Sequence, residues 1–79
     1  MPLFMYNQSQ PLHIGSLIYT TLKQKGHSVT WLASQLHCDR SNLYKIFDKY
    51  YIDTDLLYRI SKILNTDFFQ YYSQKLLEK

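Results

Sequence analysis

Two short amphipathic segments, separated by only two residues, constrain the fold of this chain most strongly. Residues 28–36 and 39–47 each carry apolar side chains at helical spacing. These stripes consist of Leu32, Ala33 and Leu36 in the first segment and of Leu43, Ile46 and Phe47 in the second. His37 and Cys38 are left as the turn, and His tolerates a left-handed backbone better than most residues. The pattern predicts a helix, a tight turn and a second helix.

Residues of the N-cap type precede both segments. Ser28 is expected to cap the first helix, and the carboxylate of Asp39 is expected to accept hydrogen bonds from the unpaired amides of the second. Periodicity predicts three further helices: residues 12–25, stopped by Gly26; residues 54–64, capped by Asp53 or Thr54 and ended by Asn65; and a last one from 66 or 67, with Phe68, Phe69, Tyr72 and Leu76 on one side. No segment alternates with a period of two, so we expect an all-α fold without a sheet.

A length of 79 residues predicts one small domain. A domain of this size buries only about 60% of the surface that its unfolded chain exposes. An aromatic fraction of 16% helps such a small core, because each ring buries a large area. Pro2 and Pro11 both fall near the start. We therefore predict an N-terminal arm over residues 1–11 and a domain over 12–79, with the helix-turn-helix segment at about 28–47.

The charge pattern favours an anionic partner. The net charge is +3, residues 1–22 hold no charged side chain, and three cations, Arg40, Lys45 and Lys49, lie in or just after the second motif helix. An ordinary solvated surface would give the same counts. No secretory signal and no run of 18 apolar residues is present, so we expect a cytoplasmic, nucleoid-associated protein without a membrane span.

Catalytic and metal-binding patterns are absent from the sequence. His37 and Cys38 are adjacent, whereas zinc ligands are spaced by two to five residues. Cys38 is expected to be a buried structural thiol, since a nucleophile would need an oriented base. Gly15 and Gly26 are the only glycines, which excludes a glycine-rich phosphate loop. We expect no enzymatic activity, no cofactor and no metal.

The order and spacing of these motifs resemble the Cro/λ-repressor-like (XRE-type) helix-turn-helix family of DNA-binding transcription regulators. The resemblance covers residues 13 to about 73. It is carried by Ile14-Gly15-x-x-Ile18, Ser28, Leu32-Ala33, Leu36, Asp39, Leu43, Ile46 and the amphipathic stretch 54–64. It implies a compact five-helix λ-repressor-like domain with a short N-terminal arm.

Three positions depart from the family pattern. His37 stands where the family often has Gly in the turn. Val29 replaces a Gln that braces the recognition helix and touches a phosphate. Leu22 and Phe47 replace an Arg–Glu pair, and packed apolar groups often substitute for such a pair without loss of stability.

The resemblance implies that helix 39–47 enters the major groove of DNA. The base-reading residues would be Arg40, Ser41, Asn42, Tyr44 and Lys45. Arg and Lys can bind guanine O6 and N7, and Asn can pair with adenine. Each side chain could instead lie in solvent, and Arg40 could balance Asp39.

Phosphate contacts are expected from helix N-termini and neighbouring polar groups, which here are Ser28, Thr30, Lys49 and Tyr50. We expect either Tyr50 or Tyr51 to be packed beneath its loop. Trp31 is open between burial and a contact to the DNA backbone.

A homodimer is expected, because specific sites usually consist of two half-sites. Its interface would include Phe68, Phe69, Tyr71 and Tyr72, and the arm could also cross to the partner. The alternative is that these rings only cap the monomer core.

The favoured function is a sequence-specific regulator, most simply a repressor of transcription. Alternatives are an antitoxin or adaptor-type protein interaction module, or a non-specific nucleoid-associated binder.

Overall fold

The computed structural model describes residues 11–78, and within that range the chain forms five α-helices and no strand. The helices are α1 (Ile14–Gln24), α2 (Val29–Leu36), α3 (Arg40–Phe47), α4 (Thr54–Leu64) and α5 (Phe69–Leu77). The predicted all-α class with five helices is confirmed, and its λ-repressor-like arrangement stays a prediction. Of the predicted arm, residues 1–10 lie outside the described range.

Local hydrogen bonds explain most helix boundaries. The Ser28 hydroxyl accepts from the Trp31 amide at 3.0 Å, and the Asp53 carboxylate accepts from the Leu56 amide at 2.8 Å, so both caps are confirmed. His37 and Asn65 end α2 and α4 in the left-handed conformation, with φ of 58° and 52°. The tight turn predicted at His37 is therefore present.

The boundary at Asp39 is confirmed, but its side-chain capping bond and two other helix starts were predicted wrongly. The Asp39 side chain makes no capping hydrogen bond, although its backbone holds the N-cap position. α1 begins at Ile14 rather than at residue 12, because His13 caps it by accepting from the Ser16 amide at 3.0 Å. α5 begins at Phe69 because Asp67 binds the Phe69 amide at 3.0 Å, which holds residues 66–68 in a turn.

One apolar core draws on α1 to α4 and on Phe68, the residue before α5. Its buried members are Ile14, Ile18, Leu22, Val29, Leu32, Ala33, Leu36, Leu43, Phe47, Leu57, Ile60, Leu64 and Phe68. The apolar stripes predicted for the motif helices therefore face inward, with Ile46 half-buried. Leu22 and Phe47 are both in this core. Leu76, predicted on the same side of the last helix as Phe68, is 82% exposed, because α5 packs on the core only near its start.

Gly15 allows α1 to lie directly against the end of α3. A Cβ atom at this position would come closer than 3.0 Å to backbone atoms of Ile46 and Phe47. The first amides of α1 donate to the loop after α3, from Ile14 to the Tyr50 carbonyl at 2.9 Å and from Gly15 to the Lys49 carbonyl at 3.0 Å. These bonds satisfy donors that a helix start leaves unpaired. Helix α3 is thus fixed along its inner side, and within residues 11–78 its outer side is exposed.

Candidate nucleic-acid interface

The outer face of α3 carries all five predicted base-reading residues. Arg40, Ser41, Asn42, Tyr44 and Lys45 are exposed, whereas Leu43 and Phe47 on the opposite side are 0% and 9% exposed. The polar side chains therefore project from a helix whose position is set by core packing. An α-helix with its side chains is about 10–12 Å in diameter, which suits a major groove about 12 Å wide.

The two borders of this face differ in chemistry. On the α1 side, the Tyr44 ring meets Phe47 edge-on at a centroid distance of 6.0 Å, and Phe47 meets Tyr19 of α1 at 5.2 Å. Tyr44 is 55% exposed, so its hydroxyl end is open to solvent. The border of α3 on the α1 side is therefore aromatic.

A cationic groove lies on the other border of α3, between α3 and α4. The polar residues that line it are Asn42, Lys45, Lys49 and Arg59, and its apolar lining consists of Leu36, Cys38, Ile46 and Leu56. Its volume is about 320 Å³ and no acidic residue lines it. Asp39 and Asp48 flank the ends of α3 outside this lining. The groove therefore concentrates three positive charges beside the outer face of α3.

Arg59 also lines this groove, although no sequence motif marks it as a binding residue. It is an exposed residue of α4, three positions after the half-buried Leu56. The only sequence signal for Arg59 as a groove residue is that it follows an apolar position by one helical turn. Cations at such positions are common on solvated helix faces, so this signal does not indicate a binding site. Arg59 lines the same groove as Lys45 and Lys49 because α3 and α4 both pack against α2.

The predicted phosphate contacts at the start of α2 are accessible. Ser28 and Thr30 are exposed, and the Ser28 oxygen already accepts the Trp31 amide. Trp31 is half-buried and stacks on His27 with a centroid distance of 3.7 Å and an interplanar angle of 10°. Its ring is thus neither a core residue nor fully on the surface.

The loop after α3 is held in place through its backbone. The carbonyls of Lys49 and Tyr50 accept the first amides of α1, while both side chains stay exposed. The Tyr50 ring lies against His13 at 4.4 Å and is 51% exposed. Tyr51 is 78% exposed, so the expectation that one of these two rings packs beneath the loop was wrong. The backbone hydrogen bonds hold the loop without a buried ring.

The predicted dimer-interface residues separate into two groups. Phe68 is 0% exposed inside the core, so it has no surface to offer a partner, and that part of the prediction is corrected. Phe69, Tyr71 and Tyr72 are half-buried against the core, and burial raises the pKa of the Tyr72 phenol. The exposed apolar residues of α5 are Leu76 and Leu77, at 82% and 79%.

Cys38 is half-buried rather than fully buried, packs against the core and lines the cationic groove. Across residues 11–78, no group of three or more His, Cys, Asp or Glu side chains is arranged to hold a metal ion. None of the five helices has the length and apolar character needed to cross a bilayer.

Comparisons with protein-family models, with curated proteins and with solved structures find no match for this chain.

Proposed function

We propose that this chain is a sequence-specific DNA-binding transcription regulator that places α3 in the major groove. The observation that carries the proposal is the division of α3 into a buried apolar side and an exposed side with Arg40, Asn42 and Lys45. A helix that is fixed from behind presents its donors in one orientation, as base reading requires.

Each exposed side chain of α3 has a role that fits its chemistry. Arg40 and Lys45 donate to guanine O6 and N7, and Asn42 pairs with adenine. Ser41 accepts or donates at either base, and Tyr44 contacts a phosphate or the methyl group of thymine. These contacts select sequence, while affinity comes mainly from the backbone.

The proposed phosphate contacts lie at two places. Lys49 and Arg59 line the groove on the α4 side, and Ser28 and Thr30 stand at the start of α2. Cations neutralise phosphates and release counterions, and a helix N-terminus offers unpaired amides to an anion. Together they would set the register of α3 on the duplex.

A homodimer completes the proposal. One helix of eight residues contacts few base pairs, and two copies would bind half-sites about 34 Å apart. Phe69, Ser73 and Leu76 are spaced i, i+4 and i+7, so they share a face of α5 that is available to a second copy. Occupying an operator in this way would repress transcription.

The second candidate is a protein interaction module, such as an antitoxin or an adaptor. The exposure of Leu76 and Leu77 at the end of α5 favours it, because adjacent exposed leucines suit an apolar partner surface. Co-purification of a stable second protein, together with no binding of duplex DNA, would favour this candidate over the regulator.

Replacing Lys49 with alanine is expected to weaken binding to all duplex sequences alike. It should reduce the slope of log K against log salt by about one, because one phosphate contact is lost. The measurement is fluorescence anisotropy of a labelled duplex over a series of salt concentrations.

Lys62→Ala is the matched control for this experiment. Like Lys49→Ala, it removes one positive charge, but this charge lies on α4 and outside the cationic groove. Lys62 lies over the Tyr58 ring at 5.5 Å and lines a different groove with Asn65 and Phe69. Its salt slope should equal that of the wild type. Equal slopes for all three proteins would remove Lys49 from the interface, and no binding by the wild type at micromolar concentration would reject the proposed function.

A further inference from the structure

An apolar groove lies where the described part of the chain begins. Its lining comes from the segment before α1, the loop between α3 and α4, and α5, with a volume of about 480 Å³. The lining residues are Pro11, Leu12, Tyr50, Tyr51, Tyr72 and Lys75. Every one of them except Lys75 is apolar or aromatic, and a Lys stem can itself cover apolar surface.

The aromatic walls of this groove are open to solvent. Tyr51 is 78% exposed and Tyr50 is 51% exposed, although the two rings are adjacent in the chain. Tyr72 forms the deeper wall, where burial raises the pKa of its phenol. Covering such rings is favourable, because each one can bury a large area.

The residues that precede Pro11 include an apolar stretch whose composition suits the apolar groove. Residues 1–6 read Met-Pro-Leu-Phe-Met-Tyr and contain no charged side chain, whereas residues 7–10 are all polar. Four residues span at most about 14 Å when extended. Since Pro11 lines the edge of the groove, the apolar stretch is tethered within reach of it.

We propose that residues 3–6 of the same chain dock in the groove formed by Leu12, Tyr50, Tyr51 and Tyr72. The same chain is favoured over a second copy because a short tether gives an effective concentration in the millimolar range. Docking supports the loop whose carbonyls hold the start of α1 and which carries Lys49. It leaves the face of α5 that holds Phe69 and Leu76 uncovered.

Nuclear Overhauser effects on the full chain test this inference. Contacts are expected between the Phe4 ring or the Leu3 methyls and the side chains of Leu12 and Tyr72. A mixture of isotope-labelled and unlabelled protein separates contacts within one chain from contacts between copies. Their absence from the uniformly labelled sample would overturn the proposal, as would contacts seen only between copies.

Two substitutions provide an independent readout. Phe4→Ser should abolish the contacts and lower the urea midpoint of unfolding, whereas Gln8→Ser, in the polar tether, should leave both unchanged. In a chain that carries Tyr51→Ser, the further change Phe4→Ser should lower the midpoint less than it does in the wild type. An equal decrease in both backgrounds would show that Phe4 does not act through this groove.

Discussion

Replacing Phe68 with alanine is expected to lower the free energy of unfolding by about 3–5 kcal/mol. The side chain is 0% exposed and is the largest that is fully buried in the described chain, so its removal leaves a cavity beneath α5. A domain of this length has about 4–12 kcal/mol of stability in total. The variant should therefore lose at least about a quarter of its stability. Urea denaturation followed by circular dichroism measures the loss.

Phe69→Ala is the matched control, because it makes the same chemical change at the next position. Phe69 is only half-buried, so its replacement should lower the free energy of unfolding by clearly less. An equal or larger effect at Phe69 would contradict the packing described for α5. A Phe68→Ala protein that stays folded but loses its dimer mass in light scattering would return Phe68 to the interface.

Replacing Gly15 with alanine is expected to lower the free energy of unfolding by about 3 kcal/mol, the upper end of typical overpacking effects. The new methyl group would meet backbone atoms of Ile46 and Phe47, which cannot rotate away as a side chain would. Moving α1 outward would also lengthen the hydrogen bonds that its first amides donate to the Lys49 and Tyr50 carbonyls. At an uncrowded helix position the same change stabilises by about 0.5–1 kcal/mol, so the sign is diagnostic.

Gly26→Ala is the control for the glycine substitution. No atom lies within 4 Å of a Cβ at this position, and the loss should be about 1–2 kcal/mol from its φ of 80° alone. Thermal unfolding of both variants beside the wild type measures the difference. A Gly15→Ala protein as stable as the wild type would show that α1 and α3 are not in close backbone contact.

The sequence was informative wherever structure depends on neighbours within one helix. The apolar stripes of α1 to α4 follow from periodicity, and Ser28, Asp53 and His37 mark boundaries through local chemistry. It was less informative where two local signals compete. Asp67 holds a turn that delays α5 to Phe69, and Asp39 occupies an N-cap position without using its carboxylate.

Features that depend on packing between helices could not be predicted from the sequence. The outward direction of Lys45 follows from the period of α3, but Lys45 and Arg59 line one groove only because α3 and α4 both pack against α2. In the same way, composition shows that α5 is rich in aromatic residues. Composition does not show that Phe68 lies in the core while Leu76 remains in solvent.

One selection experiment decides whether the outer face of α3 reads DNA sequence. Wild-type protein and Arg40→Ala select duplexes from the same random pool at physiological salt. We expect the wild type to enrich a motif with two related halves about 10 base pairs apart. Because a bidentate contact contributes about 1–3 kcal/mol of base discrimination, Arg40→Ala should lose preference at one base pair in each half and keep the rest. No motif for the wild type, or the same motif for both proteins, would contradict this account.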